Sequence, residues 1–261
     1  WSVTSLPDGI AVNLYQEGRY RTEFNGLPFV FRQETDYPSG STVRLYLEQV
    51  PGEEMTLSLR IPAWAEHTEV RIGSEMFYPA AGTYCEMRGR WRKYTEIQID
   101  FHTELRIVTA PGSTNEKALM WGSLVLAMDR RDVEEAPKSL WLMNDAMKPI
   151  HDKQMDLDYY PVQSIAQESA RPIAERVENK DALVAFRVKF LRRPIHFFHH
   201  ETEELLFRDY ASCGNDFTEE SAIRTWFSVP MYCNEIFPKD SEHVIRGTVE
   251  EDSSLDKKDK L

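Results

Sequence analysis

Over its first hundred residues or so this chain alternates apolar and polar residues, and turn-forming residues interrupt the pattern at short intervals. Leu57, Leu59 and Ile61 stand against Ser58 and Arg60. That is the pattern of a half-buried strand, because successive side chains point to opposite faces. Pro62 then closes it, since proline has no N–H to give to a sheet ladder. Val43, Leu45 and Leu47 alternate in the same way with Arg44, Tyr46 and Glu48, and Ile97 and Ile99 with Gln98 and Asp100. Ile10, Val12 and Leu14 are expected on one face of Gly9 to Tyr15, and Leu27 to Gln33 is a further apolar run. Tyr37-Pro38-Ser39-Gly40-Ser41, Pro51-Gly52 and Gly73-Ser74 supply turns between the runs. Short strands at this spacing predict antiparallel sheets in a sandwich or barrel, not a parallel sheet with crossover helices.

The breaker cluster Ala110-Pro111-Gly112-Ser113 sets an expected boundary. Residues 1–110 are expected to form one β-sandwich and residues 111–246 a second. Residues 247–261, nearly devoid of apolar side chains, are expected to be a charged, disordered tail. Within the second part, Ala118 to Met128 is the most apolar run of the chain and predicts a central strand. Asp132 to Lys138 is expected as a short helix or loop, and the polar stretch Asp145 to Lys180 as mostly loop. Strand signals return at Ala182 to Phe190, Glu204 to Phe207 and Ile223 to Val229. The predicted fold class is therefore all-β, as two consecutive antiparallel sandwiches. At 261 residues, each can bury its own core.

Composition narrows the partners. A formal net charge of −12 argues against nucleic acid or anionic lipid, both of which would be repelled. No apolar run reaches the eighteen or so residues that a membrane-spanning helix needs, so no membrane partner is expected. Cys85, Cys213 and Cys233 are odd in number and widely spaced. They are expected as buried, reduced thiols, with no zinc pattern among them. The chain opens at Trp1 with no apolar leader, which reads as a fragment or trimmed product; the sequence leaves the compartment open, with a soluble, cytoplasmic one favoured.

Several clusters invite a chemical reading. His196, His199, His200 and Glu201 contain metal-binding groups. In a strand, however, His196 and His200 stand about 13–14 Å apart, too far to share an ion. Adjacent acids such as Glu203-Glu204 and Glu219-Glu220 point in different directions on either a strand or a helix, which suits solvated loops better than paired-acid catalysis. Trp64, Trp91, Tyr37 and Tyr159-Tyr160 offer faces on which a sugar ring can stack. Trp64 and Trp91 are expected to be structural, with the Trp64 indole buried against a neighbouring sheet and its N–H on a backbone carbonyl. Tyr159 and Tyr160, in a polar stretch, are the candidates for substrate binding. No residue is expected to be catalytic, and none to bind metal.

Leu57-Ser58-Leu59-Arg60-Ile61-Pro62-Ala63-Trp64 resembles the "R-I-P-x-W" strand end of glycoside hydrolase family 127, the β-L-arabinofuranosidase-like proteins. Further patches follow in that family's order. Val12-Asn13-Leu14-Tyr15 resembles the strand that leaves the catalytic barrel, and Gln33-Glu34-Thr35-Asp36-Tyr37-Pro38 is similar to "Q-x-T-x-Y-P". Gly82 and Tyr84 with Arg90-Trp91 resemble "G-Y … R-x-W". Trp121-Gly122-Ser123-Leu124-Val125-Leu126-Ala127 is similar to "G-P-L-V-L-A", and Asp209 to Asn215 with Trp226 to the closing segment. The departures fall mainly in turns: Ser39 stands where the family has tryptophan, and Gly122-Ser123 replaces Gly-Pro.

The resemblance implies the middle and C-terminal domains of such an enzyme. It assigns structural roles to Pro62, Trp64, Trp91 and Gly122. It also implies that the parent's zinc-bound cysteine nucleophile and its ligands lie in a helical barrel, and no position here matches those motifs. The expected role is a non-catalytic support for that barrel. The expected partners are the barrel, a second copy of the chain and carbohydrate. The alternative is a stand-alone carbohydrate-binding module.

Overall fold

The computed structural model describes residues 2–113, 116–133, 139–145, 150–153, 157–159, 170–193, 201–215, 222–228 and 231–232. The first ten strands are β1 (Val3–Leu6), β2 (Gly9–Val12), β3 (Gly18–Phe24), β4 (Leu27–Thr35), β5 (Thr42–Gln49), β6 (Glu54–Arg60), β7 (Glu69–Ile72), β8 (Glu75–Phe77), β9 (Tyr84–Arg90) and β10 (Glu96–Asp100). They form two sheets, one ordered β1-β2-β6-β9 and the other β3-β4-β5-β10-β7-β8. The alternation in β5 and β10 puts Val43, Leu45, Leu47, Ile97 and Ile99 into a core shared with Ile10, Met55, Leu57 and Leu59 of the other sheet. Two sheets closing on one apolar core make a sandwich.

Three details differ from the sequence expectation. First, β2 and β6 run parallel, with Gly9 opposite Thr56 and Val12 opposite Leu59. A Cβ on Gly9 would fall onto the Thr56 carbonyl, so this join needs a residue without a side chain. Second, β6 is covered on both faces: Thr56 and Ser58 are buried along with Leu57 and Leu59. The strand is an interior one, hydrogen-bonded to β2 on one side and β9 on the other, and its buried polar residues are short hydroxyls. Third, the strand at Gly9 ends at Val12, and Leu14 is 43% exposed, not part of the core face.

The remaining strands are β11 (Leu105–Thr109), β12 (Glu116–Trp121), β13 (Leu124–Asp129), β14 (Ser139–Leu142), β15 (Ile150–Asp152), β16 (Leu157–Tyr159), β17 (Ala174–Val177), β18 (Ala185–Arg193), β19 (Glu201–Asp209), β20 (Ile223–Arg224), β21 (Phe227–Ser228) and β22 (Met231–Tyr232). A single helical turn, α1 (Tyr210–Cys213), follows β19. All but β15 and β16 join in one hydrogen-bonded sheet along the path β11-β12-β13-β19-β18-β14-β22. Ile107 and Leu119 from one end of that path share a core with Leu140 and Leu142 from the other. The sheet must therefore curl over on itself to enclose them. β13 makes the bend: Leu124 and Val125 pair with β12, Leu126 and Ala127 with β19, and Met128 and Asp129 with β20.

Here too the residues refine the reading. The apolar run Ala118 to Met128 is a hairpin, not one central strand, because Gly122 takes a left-handed φ of 54° and turns the chain. Ala110 to Ser113 is the turn between β11 and β12, so the Leu105 strand belongs to the second sheet. The polar stretch from Asp145 contains the β15–β16 hairpin and β17, the latter paired with β18. The turn after β13 is a short 3-10 helix, Arg130–Asp132. His196, His199, His200, Glu219, Glu220, Tyr160, Cys233 and residues 247–261 lie outside the described residues.

Candidate functional site

The turn that follows β6 gathers several of the residues singled out by sequence. Pro62 is buried, and its carbonyl accepts from Ala65 N at 3.1 Å and Gly82 N at 3.3 Å, fixing the turn. Trp64 then sits half-buried among aromatic rings. It stacks on Tyr37 at 6.5 Å between centroids and tilts against Phe101 at 5.8 Å. Tyr15 completes the group, 5.3 Å from Phe101. Burial holds the Tyr15 phenol far above its ordinary range, and its hydroxyl donates to the Arg60 carbonyl at 2.8 Å. Among the described residues the Trp64 N–H makes no hydrogen bond, so rings hold this indole in place of the expected carbonyl. That carbonyl bond belongs instead to Trp91, whose Nε1 donates to Met55 O at 3.2 Å.

The outer edge of the Trp64 ring meets the second sheet. A Cβ on Gly122 would lie 3.1 Å from Trp64 Cη2 and 2.9 Å from Thr103 Cγ2. The same turn bonds back to the first sandwich: Tyr37 hydroxyl to Ser123 Oγ at 3.0 Å, and Trp121 Nε1 to Ser39 O at 3.0 Å. Pro62, Trp64 and Gly122 are thus brought to one junction, joined by Tyr37, Ser39 and Trp121. Trp91 stands apart from it. Tyr159 pairs with Ile150 in the small hairpin.

At the N-terminal edge of the first sandwich, Thr4, Asn13, Leu14, Arg60 and Tyr84 line an open pocket of about 460 Å³. Asn13 organises it. Its Nδ2 donates to Thr4 Oγ1 at 3.0 Å, its Oδ1 accepts from the Tyr84 hydroxyl at 2.7 Å, and its carbonyl accepts from Arg60 Nη1 at 3.4 Å. Tyr84 and Leu14 remain well exposed above this frame. Sequence reasoning named none of these as site residues, although Arg60 belongs to the strongest motif.

The thiols do not fit the zinc–thiolate chemistry that the family resemblance implies for a parent enzyme. Burial raises the Cys85 thiol above its ordinary value and pushes Cys213 up to about 11, so both are protonated near neutral pH. Among the described residues, no three or more His, Cys, Asp or Glu side chains come together as a metal-binding group. Nor is any helix there long and apolar enough to cross a membrane.

Strand order, turn chemistry and the Trp64 junction can now be set beside known proteins. The family model described as "Beta-L-arabinofuranosidase, GH127 middle domain" matches this sequence. Residues 9–103 are the matched span. The match begins at β2 and stops just before β11, where the sandwich gives way to the second sheet.

Solved structures extend the likeness to most of the chain. A GH127 β-L-arabinofuranosidase from Geobacillus stearothermophilus T6 superposes with a TM-score of 0.64 at 21% identity, covering 87% of this chain and 35% of that one. A protein described as a glycoside hydrolase gives 0.60 at 18% identity, covering 86% and 36%. A GH127 β-arabinofuranosidase gives 0.61 at 16% identity, covering 85% and 35%. The fold is that of the β-sheet portion of such enzymes, and the chain spans about a third of their length. No curated protein matches the sequence.

Proposed function

We propose that this chain is the non-catalytic β-sandwich portion of a family 127-like glycoside hydrolase, with two units that meet near residue 104 and support a catalytic barrel. The observation that carries this reading is the middle-domain match over residues 9–103, within a fold shared along 87% of the chain. The residues support it too. The Trp64–Gly122 junction ties the two units together, which suits a part that positions another. The Asn13 frame presents an exposed tyrosine and an arginine, residue types enriched among the anchors of protein interfaces, beside the exposed Leu14. In this reading the barrel covers that frame and holds the zinc and its cysteine ligands. Self-association uses another exposed sheet face.

The test compares three samples: this chain alone, a barrel joined to it, and the same barrel without it. Aryl β-L-arabinofuranosides are the substrates. The chain alone is expected to be inactive with or without added zinc. The joined protein is expected to turn over, and the bare barrel to be insoluble or much weaker. Turnover by the chain alone, surviving purification from host glycosidases, overturns the proposal.

A further inference from the structure

The second sheet carries an open pocket of about 540 Å³ where the β17–β18 turn meets α1. Two arginines are fixed on its wall. Arg131 binds both Asp129 oxygens through Nε and Nη2, and Arg208 binds both Asp132 oxygens. Asp129 is fully buried. Burial by itself would raise its pKa, but the bonds from Arg131 outweigh this and hold the carboxyl below the usual range. Arg208 is 9% exposed, and its Nε has no hydrogen-bond partner among the described residues. Asp209 turns away from the pocket's chemistry. It accepts from the backbone N–H groups of Leu183 at 2.7 Å, Val184 at 3.1 Å and Ser212 at 3.0 Å. These bonds shape the rim and leave Lys180, Asp181 and Asn215 at its mouth.

The chemistry of that lining selects a ligand class. Lys180, Arg131 and Arg208 are offset by Asp181, Asp129, Asp132 and Asp209, so the pocket has no positive net field to attract an anion. Lys180 and Asp181 are exposed and have no ion-pair partner among the described residues, and the Asn215 side-chain amide has no hydrogen bond there. Donors and acceptors are therefore both available at the mouth, while the two arginine–aspartate pairs are already ordered and lose little freedom on binding. Leu183, 51% exposed at the rim, offers an apolar contact. Unpaired donors and acceptors beside one apolar side chain match the hydroxyls and C–H faces of a neutral sugar. Among the described residues no aromatic side chain lines the pocket to stack a nucleobase.

We infer that this pocket binds a neutral monosaccharide-sized polyol. The inference stands on the lining and does not depend on the family reading. The test is a titration of the isotopically labelled full chain, followed by amide chemical shifts, with L-arabinose, methyl β-L-arabinofuranoside and D-glucose, and with inorganic sulfate as the anionic control. At least one sugar is expected to shift residues 180–183 and 208–215 at millimolar concentration, with sulfate leaving them unmoved. Lys180→Ala and Asn215→Ala alter exposed side chains, and each is expected to weaken the response at least tenfold with an unchanged melting temperature. The inference is overturned if no sugar moves these amides, if sulfate moves them as readily, or if shifts appear only around Asn13 and Tyr84.

Discussion

The two halves of the molecule bury different things. In the sandwich before residue 103, the buried polar residues are Gln33, Thr56, Ser58 and Thr68, none of them charged. In the curled sheet after it, Lys117, Asp129, Arg208 and Asp209 are buried along with Asn144. The first half closes two separate sheets on an apolar core, and burial of apolar area alone can stabilise such a closure. The second closes one sheet on itself, and charged pairs sit where β13 bends from one partner strand to the next. Backbone groups left unpaired at a bend need other partners. The 3-10 turn after β13 shows one solution, with Asp129 accepting from Arg131 N at 3.0 Å. One half is therefore held by packing, and the other also by pairing.

The largest expected effects test that contrast directly. Asp129→Ala removes a fully buried carboxylate together with its charge-assisted bonds to Arg131, whose own side chain is one-third exposed and can turn to water, and should cost about 1.5–3 kcal/mol. Leu57→Ala in the first sandwich should cost about 2–5 kcal/mol through its cavity. Hydrogen exchange should show the first loss centred on β13 and β19 and the second on β2, β6 and β9. If Asp129→Ala behaves like a surface substitution, the contrast between the halves is wrong.

Trp64→Ala acts on the seam between them. Its ring is only half-buried, so a loss of about 3 kcal/mol, the lower end for tryptophan truncations, is expected. The melting temperature should fall clearly, and exchange should rise at the Gly122 turn as well as around Phe101. A Trp64 that served to stack sugar would leave melting nearly unchanged and weaken ligand binding instead.

Gly122→Ala should be milder, about 1–3 kcal/mol, from a left-handed φ imposed on alanine and the close contacts with Thr103 and Trp64. A truncated partner should relieve part of that cost, so the double variant with Trp64→Ala is expected to be less than additive.

The smallest effect is the response to acid. Asp129 has a folded pKa below its unfolded value. Its stabilisation is therefore present above the unfolded pKa of about 3.9 and is lost as pH falls through the lower, folded value. Exchange in the curled sheet should rise before that of the apolar sandwich when pH drops below about 4. Simultaneous loss in both halves would show that the charged pairs do not set the acid limit.

Much of the sandwich was legible in sequence because its strands keep one face wet. Val43, Leu45 and Leu47, and Ile97 and Ile99, reach the core as their alternation predicts. Where both faces are covered, alternation loses its meaning, and Ser58 in β6 reads as solvent-facing while it is buried. The hairpin at Gly122 was hidden inside an apolar run because one glycine carries the whole turn. The Trp64 junction was half-readable: its motif marked a structural tryptophan, but no local pattern says that the residue opposite is Gly122. The sugar pocket was not readable at all. Arg131, Lys180 and the Arg208–Asn215 stretch come from three separate segments and meet only through the pairing of β13, β18 and β19.

Gly9 shows how a missing side chain can fix an alignment. Its place opposite Thr56 leaves no room for a Cβ, and Ile10 and Val12 beyond it are fully buried. Sliding β2 one position along β6 in one direction would bring Asp8 into the space that glycine now fills. A slide the other way would force Ile10 there and turn the strand's apolar residues to the opposite face. Either misalignment meets a steric barrier before any core contact is tested. The register of β2 on β6 is therefore held by excluded volume, with hydrophobic attraction favouring the same alignment.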